Sequence, residues 1–535
     1  MSSKEDVTIP VRADFEVPLP PIPDKEIKDT ITADVIVVGC GIAGLTASLS
    51  AVEAGAKCIV LEKLPTFNFR GGWNAAFNSR LQKQQGIKVN KDDVIQTVME
   101  VGSYRSDQRV VKKWADNADE VMEWLLDMAE ADGQPVVLDP VTRDWYFKHY
   151  PVSHLFVSRD KGNSSLQMNL AELLYKNGKA KGVDYRFETP AARLIREGKG
   201  RVEGVIAKNN KGEYIRFNAK NAVILCSGDY GNNREMVKKY CPWQANVLFG
   251  VSQGYSDATI IATGHYDGKV NTGDGQQMGM WIGAAIDDAP HCVMFYDRTN
   301  AGAPPDKIAK KGQVLMRYFL DVPRQPWLTV NINGERFMNE DIPFAFEANQ
   351  YMTQPEYTGW KIFDSKYELE WPRFKGFCCK SMGAPMYRHK PDFMQKGIEW
   401  GAIIVAHTLE ELAQKINVPV DTFKATVERY NRMTHDGKDL DFGKHIERMS
   451  TVEFPPFYAC KTSGQYLVTL GGLKINPDLQ VLDTERKPIP GLYAAGNVSG
   501  SFWGDEYPIT IPGASHSRAW TFGRLAGLAA AKKPK

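Results

Sequence analysis

Residues 31–62, ITADVIVVGCGIAGLTASLSAVEAGAKCIVLE, decide the fold. An apolar run, Val35-Ile36-Val37-Val38, enters Gly39-Cys40-Gly41-Ile42-Ala43-Gly44; a helix of small residues follows, and a second apolar run, Cys58 to Leu61, ends in Glu62. This order predicts a βαβ dinucleotide-binding unit. Gly39 permits the tight turn, Gly41 lets backbone approach a pyrophosphate, and Gly44 lets helix and strand pack closely. Ile42 and Ala43 open the helix, whose unpaired N-terminal amides suit phosphate charge. Glu62 stands roughly 20 residues on, where a carboxylate accepts ribose hydroxyls. That carboxylate would repel a 2′-phosphate, which favours FAD or NAD over NADP.

Immediately after Glu62 and Lys63, the stretch Arg70-Gly71-Gly72-Trp73-Asn74 is read as backbone closing over a flat cofactor, with Asn74 able to hydrogen-bond it. Helical periodicity through residues 91–130 (Val94, Val98, Val101, Val111, Trp114, Val121, Trp124, Leu125) predicts core helices. His149 and His154 are expected to be structural. Residues 185–190, 201–207 and 214–217 read as a small antiparallel meander. A buried strand, Ala222–Leu225, then ends in Ser227 and Gly228, which would give close passage beside a cofactor. Gly491–Asn497 repeats that pattern near the end of the chain, with Gly496 closing the strand. Pro512-Gly513-Ala514-Ser515 opens a last helix, with Ser515 expected to cap it.

The 535 residues are 43% hydrophobic and 24% charged, enough for a large core and more than one domain. A formal charge of +2 argues against nucleic acid as a partner. The eight cysteines form no CxxC pair and are expected to be reduced, buried thiols; no metal site is expected, and an adjacent-cysteine redox pair at Cys378-Cys379 is the lesser reading. No apolar run reaches the ~18 residues of a membrane helix, so the expectation is a cytoplasmic protein with no membrane span. Residues 1–30, polar and proline-rich, read as a surface arm.

The ordered set VVGCGIAGL, EK…RGGWN, NAVILCSGDYGNN, NTGDGQQMG, NINGERFMNE, FYACKTSGQYLVTLGGL and GLYAAGN resembles the fumarate reductase/succinate dehydrogenase flavoprotein superfamily, including its 3-ketosteroid dehydrogenase branch. The resemblance implies an α/β fold with a Rossmann-like FAD-binding domain built from both chain ends, residues 31–283 and 445–535. An inserted α+β capping domain, residues 284–444, would carry substrate contacts. It adds Lys63, Asp274, Asn497 and Ala514 to the cofactor-binding residues. It also implies that the helix start at Gly513 faces the flavin edge where reduction places negative charge. No histidine is expected near Gly71-Gly72, where the superfamily's covalent flavin link would form, so FAD is expected to be non-covalent, reduced by NADH or by a separate carrier protein.

At the site the chain departs from the dicarboxylate reductases of that superfamily. Arg336-Phe337-Met338-Asn339-Glu340 is intact, but the proton-donor arginine position matches Phe344. The clamp-histidine positions fall in Cys292–Tyr296 and Tyr466–Val468, and the last arginine's region is Tyr507–Gly513. Small dicarboxylates would bury unpaired charge there. Phe295, Tyr296, Phe344 and Trp503 instead suggest an apolar substrate surface. Tyr507-Pro508…Pro512-Gly513 resembles the steroid-enzyme stretch in which a tyrosine hydroxyl and a glycine amide polarise a ketone, with spacing two residues longer. Tyr507, Tyr466 and Gly513 are therefore the expected catalytic groups. The expected activity is FAD-dependent CH–CH oxidoreduction, reducing a C=C conjugated to a carbonyl in a bulky apolar enone such as a 3-oxo-Δ4 steroid or bile-acid intermediate. The alternatives are the desaturase direction, aromatic acrylates or plant enones, and a non-catalytic electron-transfer subunit.

Overall fold

Four strand ends that converge on one edge of a sheet organise the molecule. The computed structural model describes residues 13–67, 71–139, 149–157, 166–249, 270–298, 325–374 and 392–533. Ile27–Val38 lies between Cys58–Leu61 and Tyr214–Leu225, parallel to both, and Pro488–Ala494 adds parallel to the far side of Tyr214–Leu225. The register aligns Val38 with Leu61 and Leu225, and Leu225 with Ala494. Gly39, Glu62, Cys226-Ser227 and Ala495-Gly496 therefore follow at the same carboxyl edge. Val35 to Val38 and Cys58 to Leu61 are all buried, as expected of strands covered on both faces.

The helix Ile42–Glu53 returns across the sheet, and the last helix, Ala514–Ala530, packs directly upon it. A Cβ on Gly523 would lie 2.5 Å from the Ala43 carbonyl oxygen, and one on Gly527 2.3 Å from that of Ala47. Only glycine permits this backbone-to-backbone approach, and through it the two chain ends become one body. The helices Lys91–Val101 and Gln108–Ala131 match the periodicity read from sequence.

Two strand readings change. The 185–190 run is no meander strand: Asp184–Arg186 pairs parallel with Cys58–Leu61 at the sheet edge. The meander is Ala191–Arg196, Val202–Lys208 and Tyr214–Leu225, the last a single 12-residue strand that unites two runs read separately. The arm is also shorter. The first strand begins at Ile27, and within the described part of the arm Phe15 is buried against Tyr240 while its carbonyl accepts from the Trp281 indole at 2.9 Å.

A second, antiparallel sheet runs Val293–Arg298, Phe457–Thr469, Thr358–Asp364, Leu328–Val330, with Ile404–Ala406 also on Phe457–Thr469. The helix pair read from sequence is present as Leu409–Lys415 and Val420–His435, which bury Leu412, Phe423 and Val427 against Leu328, Val330 and Ile362. Phe457–Thr469 is central to this sheet, and the chain then runs on toward the first sheet. Two chain segments make the crossing side by side. Leu470 N–H donates to Cys292 O (2.9 Å), Asp287 N–H to Gly472 O (2.9 Å) and Lys474 N–H to Ala285 O (2.8 Å). Among the described residues no helix is long and apolar enough to cross a membrane.

Arg336 explains the intact RFMNE motif as a brace within the second sheet's domain. Its guanidinium donates to both Glu340 oxygens and both Asp439 oxygens, each at 2.9 Å, and Lys444 reaches Glu340 at 3.2 Å. Burial by itself would raise both carboxyls, yet the Arg336 charge and its hydrogen bonds hold each at about 2. Their contribution to stability is present above the ordinary carboxylate range and is lost as pH falls toward 2. Arg336→Met leaves Asp439 without its cation and Glu340 with Lys444 alone, and should cost about 3–5 kcal/mol. Thermal unfolding at pH 7 reads the deficit, which should shrink below pH ~4 as the stranded carboxyls take up protons.

Candidate active site

At the carboxyl edge the glycine loop is tied to its neighbours before any ligand is considered. Gly39 N–H donates to Leu61 O at 2.8 Å, and a Cβ on Gly44 would lie 1.9 Å from Gly39 O, so loop and helix touch. Gly41 precedes the helix and no side chain caps it, which leaves the first-turn amides to an anion. Glu62, 7% exposed, accepts from Cys40 N–H (2.7 Å) and Leu64 N–H (2.9 Å). Burial raises its pKa against the pull of those amides and of Lys63. Glu62 therefore braces the loop while its remaining lone pairs are available to ribose hydroxyls.

The 271–275 loop closes the same crevice. Lys63 Nζ bonds Thr272 Oγ1 (2.7 Å) and Asp274 Oδ2 (2.8 Å), which ties the segment after Glu62 to Asp274. Ser227 Oγ is buried without a hydrogen-bond partner among the described residues and would meet a Cβ on Gly275 at 2.2 Å. An orphaned hydroxyl, an uncapped helix start and a carboxylate at one edge fit the adenosine and pyrophosphate end of FAD.

The head of the last helix forms the other end of the crevice. Gly513 has φ 90°, a left-handed conformation, and a Cβ there would meet Asn74 N at 2.6 Å, so the helix head presses on the Gly71–Asn74 loop. Asn74 is held within the protein: its amide donates to Gly72 O (3.2 Å) and His154 O (3.3 Å), and its oxygen accepts from the Trp520 indole (3.2 Å). Trp73 Nε1 donates to Asp139 at 2.9 Å. These two side chains shape the loop. His154 is structural as expected, buried so that its pKa falls to about 4, and bonded to Ser79 Oγ at 2.7 Å.

Two expectations at this helix are corrected. Ser515 does not cap it: the cap position is Gly513, Ser515 is already inside the first turn, and its N–H donates to the Tyr507 hydroxyl at 3.2 Å. Tyr507, 3% exposed, thus supplies the acceptor assigned to Ser515. A histidine also does adjoin Gly71. His516 bonds Trp73 O through Nδ1 at 2.8 Å, and its ring would meet a Cβ on Gly71 at 2.6 Å. Sequence distance hid it, since the contact spans 443 positions.

Around Tyr507 stands an aromatic group. Trp503 lies 5.1 Å from it, ring centre to ring centre, with Phe502 edge-on to Trp503 at 4.4 Å. The Trp503 indole N–H is buried with no partner among the described residues. Two residues missed in sequence join this group. Arg518 is fully buried, and burial lowers its pKa to about 10. It donates to Gly496 O (3.0 Å), Ser499 O (3.2 Å) and Asn497 Oδ1 (3.1 Å), and lies 5.3 Å from each of the Phe502 and Trp503 rings. Gly496 and Asn497 are thereby held at the crevice by the last helix. The sequence signal was a lone charge on the same helical face as Ala514 and Thr521. Glu506 carried no sequence signal. It accepts from Asn349 Nδ2 (2.7 Å) and Tyr507 N–H (3.0 Å), and burial raises its carboxyl to about 7. Phe295, Tyr296, Phe344 and Tyr466 have side chains outside the described residues; backbone register sets Phe295 opposite Tyr466, and Phe344 begins the helix Phe344–Tyr351.

Comparison with known proteins agrees with this geometry. The sequence model of a family described as FAD binding domain matches residues 34–506. Vinyl phenol reductase of Lactiplantibacillus plantarum is 28% identical over 514 residues, which cover 93% of this chain and 96% of that protein. The open conformation of a flavocytochrome c3 fumarate reductase superposes with TM-score 0.65 at 26% identity, covering 94% of this chain and 79% of that one. The 3-ketosteroid Δ1-dehydrogenase of Sterolibacterium denitrificans shares the fold, with TM-score 0.69 at 21% identity, covering 94% and 100%.

Glu62→Ala removes the acceptor for two buried loop amides as well as the ribose carboxylate. Flavin content after gel filtration should fall from full occupancy to below about one tenth, as each unmade charged hydrogen bond costs ~1.5–3 kcal/mol. Full flavin retention in this variant would show that the crevice does not hold the adenosine.

Proposed function

The chain belongs to the FAD binding domain family, and on that premise we propose that it reduces a C=C conjugated to a carbonyl in a bulky, largely apolar enone of the 3-oxo-Δ4 steroid or bile-acid type. The coarser statement is firm: it is an FAD-dependent oxidoreductase of the reductases and dehydrogenases that act on C=C bonds.

The observation that carries the finer reading is the unpartnered, buried indole N–H of Trp503, whose ring lies 5.1 Å from that of Tyr507 at the head of the last helix. A buried donor without a partner costs about 1–3 kcal/mol, a cost that a substrate carbonyl would relieve. Tyr507 accepts from Ser515, which orients its hydroxyl, and its proton is the second donor assigned to that oxygen. The Gly513 amide, with the partial positive charge of the helix start, is the third. Together they draw charge onto the oxygen and leave the β-carbon electrophilic. When bound and reduced, FAD supplies the hydride, with NADH or a separate carrier protein as its source of electrons. Trp503, backed by the buried ring of Phe502, would give the site an apolar wall that excludes water and favours a large apolar skeleton. At the superfamily's clamp positions the chain has Cys292–Tyr296, Tyr466–Val468 and Tyr507–Gly513, segments that contain no cation for a dicarboxylate.

A second reading has one observation in its favour. The relative matched over 96% of its own length is named a vinyl phenol reductase, and a styrene-type alkene with a phenol as the polarised group suits the same surface.

Stopped-flow reoxidation of the anaerobically photoreduced protein separates these readings. A 3-oxo-Δ4 steroid or bile-acid enone should reoxidise the flavin rapidly and fumarate should not, while fast reoxidation by vinyl phenol alone would favour the second reading. Tyr507→Phe should slow the enone reaction on the order of 10²-fold with flavin content unchanged. Rapid reoxidation by fumarate with inert enones would overturn the proposal.

A further inference from the structure

Reduction of a C=C needs a proton as well as a hydride, and the superfamily's donor position is occupied here by Phe344. We propose that Glu506 is the acid that delivers this proton, an assignment that rests on the reading of the chain as a C=C reductase.

Three segments that the sequence comparison assigned to the site converge on this carboxyl. The first is the cap helix Phe344–Tyr351, which starts at the vacated donor position and presents Asn349 to Glu506 Oε2 at 2.7 Å. Phe344 and Asn349 are five residues apart, about 7.5 Å along the helix axis. The second is the crossing segment, where the Cys292 thiol lies within electrostatic reach of Glu506. The third is its own segment, where Tyr507 N–H donates to Oε1 at 3.0 Å. Glu506 thus sits in the seam between the two domains, beside the tyrosine assigned to the substrate carbonyl.

The surroundings accommodate both protonation states. Asn349 Nδ2 donates to the carboxylate, and Asn349 Oδ1 is buried without a partner among the described residues. Rotation of the amide offers that oxygen to the carboxyl proton, so one residue can partner the acid before transfer and the base after it. The titratable groups facing Glu506 are Asp505 on its own segment, itself paired with Arg105, and Cys292, whose burial keeps it a neutral thiol. Burial and the Asp505 charge raise the carboxyl while Asn349 and the Tyr507 amide oppose them, leaving it at about 7. An acid poised near neutral pH is matched to proton transfer.

The step balances. Reduced FAD, when bound, would supply the hydride and its two electrons for the new C–H bond at the β-carbon, with the alkene π electrons passing to the α-carbon and carbonyl. The Glu506 O–H bond would then break as the α-carbon gains its proton. Glu506 would be left as carboxylate, which regains a proton from water.

Glu506→Gln should retain FAD and photoreduce normally, yet reoxidise with the best alkene on the order of 10²-fold more slowly. In the wild type that rate should fall tenfold per pH unit above about 7, and the break should vanish in Glu506→Gln and persist, shifted, in Glu506→Asp. A wild-type rate or an unchanged pH profile in Glu506→Gln overturns the assignment. Should Glu506→Gln fail to fold, Asn349→Ala serves, because losing a bond that lowers the carboxyl should move the break upward; an unmoved break overturns the proposal. Infrared titration of the intact protein provides a readout that needs no substrate. A protonated-carboxyl band titrating near 7 and absent from Glu506→Gln supports the acid, and its absence from the wild type overturns it, even if no alkene reoxidises the flavin and the functional reading itself fails.

Discussion

The packing of the last helix on the first is the contact on which the rest of the structure depends. Gly523 and Gly527 bring the backbone of Ala514–Ala530 against the carbonyls of Ala43 and Ala47. The helix that opens the dinucleotide unit and the helix that closes the chain are thereby held as neighbours, although nearly the whole sequence separates them. Two further bonds set the register of the last helix: Ser517 accepts from the Trp114 indole at 2.8 Å, and Trp520 reaches Asn74. Once that register is set, the Gly513 head can only lie against the Gly71–Asn74 loop, and Arg518 can only reach Gly496, Asn497 and Ser499.

The second domain is constrained differently. It is held internally by its own sheet and by the buried Arg336 cluster, and it meets the first domain along two adjacent crossing segments, through the bond from Asn349 to Glu506, and through Ala345, Ala348 and Met352, which pack against residues of the first domain. A seam of this kind is where side chains from both domains would surround a ligand. Arg336 is instructive in this respect. The motif that carries it is intact in sequence, and in the structure its guanidinium is engaged by two carboxylates, so it serves the folding of the cap.

What was legible in sequence follows the range of the interactions involved. Gly39, Gly41, Gly44 and Glu62 act within one βαβ unit, where spacing along the chain dictates spacing in space, and they stand together as read. The helices at 91–131 and 409–435 were legible because one buried face repeats at helical period. The failures were at long range. Tyr214–Leu225 was divided because its first half has one partner pattern and its second half another. Ser515 was assigned a cap because its residue type suits the role, but a tyrosine eight residues earlier takes it.

By itself, the sequence determined the dinucleotide fold, because residue type and local spacing suffice for it; the use of both chain ends for one cofactor and the absence of cations at the dicarboxylate clamp positions were implied by its resemblance to the flavoprotein superfamily. Only the tertiary structure decided which side chains surround the reacting edge. It brought His516 to Gly71, Arg518 to Gly496, and Asn349 to Glu506. It also decided the state of Glu506, since a carboxyl's proton affinity depends on its burial and its neighbours, and those exist only once the two domains meet.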